Sequence, residues 1–169
     1  MTSTGVPARV PLAASGSAAA LAAATIVVDQ VTKAIALAWL APGTAVDVID
    51  GLVALRLGLN TGVAFGLLVG LPGDWRWVVW LLSLGALLLM LRLSRQVLPH
   101  GGWRPRVGVG LILGGAAGNL IDRVRLGGVV DFLDVYWGDY HWPAFNAADS
   151  AISVGVALLA VSLSRQQAP

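Results

Sequence analysis

Residues 107–132 read VGVGLILGGAAGNLIDRVRLGGVVDF, and the change of chemistry along this stretch decides the fold. Its first half is an apolar run in which Gly110, Gly114, Gly115 and Gly118 supply a small-residue face. Gly114 and Gly118 form a small-xxx-small pair, the spacing that lets helices pack closely inside a membrane. Its second half brings Asn119, Asp122 and Arg123 to the end of that helix, with Asn119 one turn below Arg123 on the same face. Asp131 follows in VVDF, beyond the helix. A carboxylate near a bilayer is expensive unless something uses or neutralises it, so a residue of this kind points to a functional site.

The surrounding chain makes the setting a membrane. Of its 169 residues 57% are hydrophobic and 12% charged, against roughly 25% charged in an average soluble domain, and its mean hydropathy is +0.78. A helix needs about 20 mostly apolar residues to cross the hydrocarbon core, and four segments meet or approach that need: about 18–40, 75–93, 107–122 and 147–164. The expectation is a membrane all-α protein with a small β element: a four-transmembrane-helix bundle of one domain over 18–164, an outer β-like subdomain and a surface lid segment. Residues 1–17, rich in Ala, Ser, Pro and Thr, read as a disordered tail, and 165–169 as a short C-terminal one. The net charge of +2 is too small and scattered for a nucleic-acid surface. Without Cys the chain has no disulfide, no thiol nucleophile and no thiolate metal site.

Loop charge sets the orientation. Arg92, Arg95, Arg104 and Arg106 bracket the connection 94–106, whereas the first connection carries Asp47, Asp50 and Asp74 against Arg56 and, at its end, Arg76. The second connection therefore faces the cytoplasm, both termini lie inside, and 41–74 and 123–146 lie outside. Trp39, Trp75, Trp77, Trp80, Trp137 and Trp142 fall at or near that outer boundary, as an interfacial aromatic belt does. Leu55, Leu57 and Leu59 alternate with Arg56, Gly58 and Asn60 at the period of a strand. Asn60-Thr61-Gly62 supplies turn chemistry after it, and the run from Val63 to Leu71 is apolar enough to touch the bilayer without crossing it. The stretch from Phe132 to Phe145, with Tyr136, Trp137, Tyr140 and Trp142 among polar residues, reads as a segment on the membrane surface that roofs a site.

All nine acidic residues are Asp. Asp149, in FNAADS, falls in the first turns of the fourth helix on the outer side, with Asn146 and Ser150 on its face. Asp131 and Asp149 are thus candidates for a dyad. Two carboxyls a few ångströms apart cannot both ionise easily, so they share a proton; one acts as base and the other as acid. The residues alone leave other readings open: Asp149 as a carboxylate favoured by the helix macrodipole, and Asp131 as the partner of Arg123 or Arg125. Asp29 and Lys33 sit at i, i+4 within the first span, in the favoured order for an ion pair, and read as structural. Other protease chemistries fit badly. His100 and His141 belong to no HExxH helix, there is no GxSxG elbow, and Asp139 sits in Tyr136-Trp137-Gly138-Asp139 rather than a GxGD signature. His141 reads as interfacial surface.

Four blocks resemble lipoprotein signal peptidase, also called signal peptidase II: Asp29-Gln30-Val31-Thr32-Lys33, Asn60-Thr61-Gly62-Val63-Ala64-Phe65-Gly66, the stretch 114–132, and FNAADS over 145–150. The resemblance spans roughly 20–164. It implies a multi-pass aspartic endopeptidase of the bacterial inner membrane, active at the outer leaflet, that removes the signal peptide from diacylglyceryl-modified prolipoproteins just before the lipidated Cys. It implies Asp131 and Asp149 as catalytic residues. Asn60, Asn119, Arg123 and Asn146 would position substrate or support the dyad, and Asp29, Lys33 and Asp122 would be structural. No metal and no cofactor is implied, and the expected partners are the prolipoprotein and membrane lipid, with the enzyme a monomer. The competing classes are a small proton-linked transporter, with Asp29, Asp122, Asp131 and Asp149 as a relay, and a non-catalytic assembly protein. The acids cluster on one side with no ladder across the inner half of the bundle, which disfavours the relay.

Overall fold

The computed structural model of the chain describes residues 12–62, 76–100 and 102–166. The element order is α1 (Leu12–Trp39), β1 (Ala45–Ile49), β2 (Val53–Asn60), α2 (Arg76–Val97), a 3₁₀ turn (Leu98–His100), α3 (Trp103–Leu126), β3 (Val129–Trp137), β4 (Tyr140–His141) and α4 (Ala147–Gln166). All four helices are long and apolar enough to cross a membrane. The apolar run from Val63 to Leu71 and the tail up to residue 11 lie outside the described residues.

Helix α3 is the hub. In the most apolar 18-residue stretch of each helix, 56% of the residues of α3 are buried, against 17%, 11% and 17% for α1, α2 and α4, and the other three helices pack against α3. Its small residues explain how. A Cβ on Gly115 would stand 2.5 Å from the Ala148 carbonyl of α4, and one on Gly118 would collide with the Asp29 carboxylate of α1. The glycine face thus admits two helix backbones at once, as the small-xxx-small spacing predicts. The outward faces carry exposed Val27, Val28, Val31 and Ile35 on α1, Leu81, Leu82, Leu88 and Leu89 on α2, and Val154, Val156 and Val161 on α4. So much continuous apolar surface is stable only against lipid.

The helices outrun the expected spans. Helix α1 begins at Leu12, inside the stretch expected to be a disordered tail, because Ala, Ser and Leu there tolerate a helix and the apolar run beyond nucleates it. The connection expected over 94–106 shrinks, since α2 reaches Val97 and α3 starts at Trp103. Helix α3 runs on to Leu126, so Arg123 is helical, and Gly127 in the left-handed conformation closes it with an N–H bond to the Arg123 carbonyl.

The β element is larger than the one strand expected from the leucine alternation. Four strands form an antiparallel sheet in the order β1-β2-β3-β4. Val129–Trp137, which overlaps the stretch from Phe132 to Phe145 read as a surface segment, is its longest strand, because Val, Phe and Tyr at these positions suit a pleated surface. In the β2–β3 register Gly58 faces Asp131 and Asn60 faces Val129, with an irregularity between Leu55 and Gly58. Asn60 and Asp131 are therefore diagonal neighbours on one face of the sheet.

Candidate active site

Asn146 organises the junction of sheet and bundle. It caps α4: its Oδ1 accepts the Asp149 N–H at 3.0 Å, while Asp149 Oδ2 accepts the Asn146 N–H at 3.3 Å. This is a reciprocal capping box with Asp in the usual Glu position. The next free N–H of the helix, that of Ala148, donates to Asp29 Oδ1 at 3.1 Å. Asp149 is therefore a helix-start carboxylate, as one of the alternative readings has it. The box uses its Oδ2 and leaves Oδ1 for a second donor.

Three asparagines then aim their amide N–H groups at the two acids. Asn146 Nδ2 donates to Asp131 Oδ1 at 2.7 Å, Asn60 Nδ2 to Asp131 Oδ2 at 3.1 Å, and Asn119 Nδ2 to Asp149 Oδ1 at 2.8 Å. Each amide has its direction set at the other end by a group that can only donate. For Asn146 that group is the Asp149 N–H; for Asn60 it is the Gly62 N–H, at 3.0 Å; for Asn119 it is the Lys33 ammonium, at 2.8 Å. A flipped amide would set NH₂ against a donor, so the orientations follow from the partners.

Lys33 is the centre of a second cluster. Its ammonium, 2% exposed, lies 2.9 Å from Asp29 Oδ2 and 2.8 Å from Asp122 Oδ2. Gln30, which sequence reading left without a role, donates to Asp122 Oδ1 at 2.9 Å and to Asp29 Oδ2 at 3.2 Å. Asp122 also accepts the Val130 N–H at 3.1 Å, which fastens β3 next to Asp131. Asp29, Lys33 and Asp122 thus tie α1, α3 and the start of β3 together. Only the i, i+4 spacing within α1 announced any of this, since the contacts between α1 and α3 join residues about ninety apart.

Asp131 and Asp149 make no ion pair among the described residues. Arg123 instead donates to the Asn119 and Gly62 carbonyls, both at 3.3 Å, and Arg125 to Gln30 Oε1 at 3.2 Å. The Arg123 Nε is buried and has no hydrogen-bond partner among the described residues. Burial pushes the Asp131 carboxyl up to about 6; the Asn60 amide opposes that rise, the Asp149 charge adds to it, and the Asn146 amide and Lys33 oppose it. Two acids, a row of amide donors and one cation all meet a cleft of about 720 Å³. Asn60, Asn119, Arg123, Asp131 and Asp149 line its polar end, and Leu82, Ala86, Ile152, Trp142 and Phe145 are among its apolar walls. Such a cleft accepts a long apolar group beside two carboxyls able to exchange a proton. The structure thus gathers the nine residues to which the resemblance gives a role into two adjoining clusters, Asp29, Lys33 and Asp122 in one and Asn60, Asn119, Arg123, Asp131, Asn146 and Asp149 in the other.

Comparison with known proteins follows the geometry. The family model described as signal peptidase (SPase) II matches residues 21–165. The lipoprotein signal peptidase of Geobacter sulfurreducens is 43% identical over 143 residues, covering 85% of this chain and 88% of that one. That of Symbiobacterium thermophilum is 43% identical over 144 residues, with 85% and 91% covered. Two solved structures of bacterial membrane enzymes, each 27% identical, superpose with TM-scores of 0.78 and 0.69, covering 97% and 93% of this chain and 95% and 96% of theirs. A family match over most of the chain, on a four-helix membrane fold with two acids beside an apolar cleft, has one reading: the chain belongs to the signal peptidase II family of aspartic membrane peptidases.

Proposed function

We propose that the chain removes the signal peptide from diacylglyceryl-modified prolipoproteins, cutting just before the lipid-bearing Cys with Asp131 and Asp149 as the catalytic pair. The observation that carries this is the placement of two carboxyls, neither in an ion pair among the described residues, at the polar end of a cleft whose other walls are apolar. A lipid-modified peptide matches both halves: acyl chains against the apolar wall, the scissile amide at the acids.

One carboxylate of the pair takes a proton from a water as its oxygen bonds to the scissile carbonyl carbon. The other, protonated, donates a hydrogen bond to the carbonyl oxygen as negative charge grows there. When the C–N bond breaks, the pair delivers a proton to the leaving amine and is left with the one proton it began with. The substrate's atoms never bond to the protein. Asn60, Asn119 and Asn146 hold the two carboxyls in place, and Arg123, whose Nε is buried without a partner among the described residues, orients a substrate carbonyl. Asp29, Lys33 and Asp122 are structural.

In this reading the sheet end of the bundle is outside. Arg92, Arg95, Arg104 and Arg106 lie at the opposite end, where positive charge marks the cytoplasmic face. Both termini are then cytoplasmic and the pair works at the outer leaflet of the cell membrane. One chain supplies every group of the site, which supports a monomeric enzyme.

The test uses purified protein in detergent with a prolipoprotein in its diacylglyceryl-modified and unmodified forms, read by gel shift. Cleavage of the modified form alone is expected. Equal cleavage of both would remove the lipid requirement, and no cleavage of either by a folded protein would remove the function.

A further inference from the structure

Asp134 is 4% exposed and belongs to neither cluster already described. Both its oxygens face His141 Nδ1, at 2.8 and 3.0 Å, and its Oδ2 lies 3.3 Å from Arg56 Nε. His141 belongs to β4, which has only two residues. A hairpin so short is marginal by backbone pairing alone, so side-chain contacts decide whether it stays on the sheet.

Those contacts are continuous. The His141 ring stacks on Tyr136 with centroids 5.2 Å apart and an angle of 15°. The Tyr136 hydroxyl in turn donates to Asp47 Oδ1 at 2.7 Å and accepts the Gly51 N–H at 3.2 Å. One line of contacts therefore runs from the edge strand β1 to β4. The two residues after His141 are Trp142 and Pro143, which line the same cleft as the acids. The Trp142 N–H is tied to the Val135 carbonyl at 2.8 Å, and three residues beyond Pro143 the chain reaches Asn146, whose amide holds Asp131.

We infer that Asp134 and His141 form a clamp that fixes Trp142 and Pro143 as a wall of the cleft, and so act as positioning residues for the apolar part of the substrate. This rests on the reading of function given above. The acids keep their own supports, Asn60, Asn119 and Asn146, so loss of the clamp weakens substrate binding more than the chemical step.

His141→Phe keeps a ring to stack on Tyr136 and removes the nitrogen, whereas His141→Asn restores an N–H donor near the place of Nδ1. A hydrogen bond to a charged group of this kind corresponds to roughly a tenfold change in an equilibrium. In His141→Phe the KM for the lipidated substrate rises by about that factor while kcat stays within about twofold, and His141→Asn recovers most of the KM. Amide hydrogen exchange over residues 140–145 accelerates by a similar factor of about ten in His141→Phe and is unchanged in α3 and α4. Exchange that stays at the wild-type rate overturns the clamp, whether or not the protein cleaves anything. Faster exchange with unchanged KM, or a fall in kcat alone, overturns its part in substrate binding. A wild type that cleaves no lipidated substrate overturns the reading of function instead, and the exchange measurement then judges the clamp by itself.

Discussion

Between α1 and α3, Asp29 and Asp122 share the Lys33 ammonium, each within 2.9 Å of it; a short way toward the sheet, Asp131 and Asp149 share only neutral amides. Asn119 touches both groups: its Oδ1 accepts from Lys33 and its Nδ2 donates to Asp149. The two clusters use the same residue type, buried at Asp29, Asp122 and Asp131 and half-buried at Asp149, and give it different partners. A carboxylate with a cation at contact distance is neutralised as an ion pair and holds its position. One held by amides stays free to gain and lose a proton, and here it faces the cleft. The difference lies in the partner of the acid rather than in the acid.

That contrast is broken most sharply at the amide-held pair. Asp131→Asn and Asp149→Asn should each lower cleavage by roughly 10⁴-fold, because an amide can neither accept the water's proton nor share one. Both proteins should still fold, since Asn keeps the size of the side chain, and circular dichroism with thermal unfolding in detergent checks that. Retained turnover in either purified variant rejects the pair. The ion-paired cluster should respond in the opposite sense. Lys33→Met leaves two buried carboxylates without their cation, at a cost of about 3–5 kcal/mol of stability, seen as a large drop in Tm and in folded yield. A Lys33→Met protein of normal Tm but no activity would move Lys33 from structure into catalysis.

Much of this contrast was legible in the chain itself. The i, i+4 spacing of Asp29 and Lys33 announced an ion pair, and the glycines from 110 to 118 announced a tightly packed helix ending in Asn119, Asp122 and Arg123. Asp131 and Asp149 stood out because each lay where a membrane chain tolerates little charge. What stayed hidden was set by contacts distant in sequence. Strand β3 pairs with residues of β2 that lie between 69 (Asn60 to Val129) and 82 (Val53 to Val135) positions earlier, and its Tyr136 and Trp137 suit a membrane surface as well as a strand, so local pattern misread it. Gln30 and Asp134 gave no signal, since each takes its meaning from partners on other elements. The amide directions were equally out of reach: that Asn119 turns its NH₂ toward Asp149 follows from Lys33, 86 residues away.

Titration sharpens the comparison with a smaller effect. Burial pushes the Asp131 carboxyl up to about 6, whereas in the unfolded chain it titrates near about 4. Between those values the native state binds a proton that the unfolded state has released. Stability therefore falls as pH rises through that window and levels off above it. Asp131→Asn does not titrate, so its stability relative to wild type should climb between about pH 4 and 6, by roughly 2–3 kcal/mol at most. Thermal unfolding of both proteins across that range measures the difference. A constant offset would mean that Asp131 is not held against ionisation by burial.

The smallest effect is expected at Asn60, which gives Asp131 one of its two amide donors. Asn60→Ala removes a hydrogen bond that favours the charged form, so the carboxyl of Asp131 should move above about 6 and the pH dependence of kcat/KM should shift upward by about half a unit to one unit. At neutral pH the accompanying loss in kcat should be about threefold to tenfold, the scale of one hydrogen bond to a charged group. The same substitution frees the Gly62 N–H, which the side-chain Oδ1 of Asn60 accepts, and a loosened turn would also lower activity. The two effects separate in the pH profile. Loosening the turn scales the whole profile down without moving it, whereas losing the donor moves it. A profile that drops and does not move would make Asn60 a fastener of the β2 turn, and would leave Asn146 as the one amide donor that tunes Asp131 among the described residues.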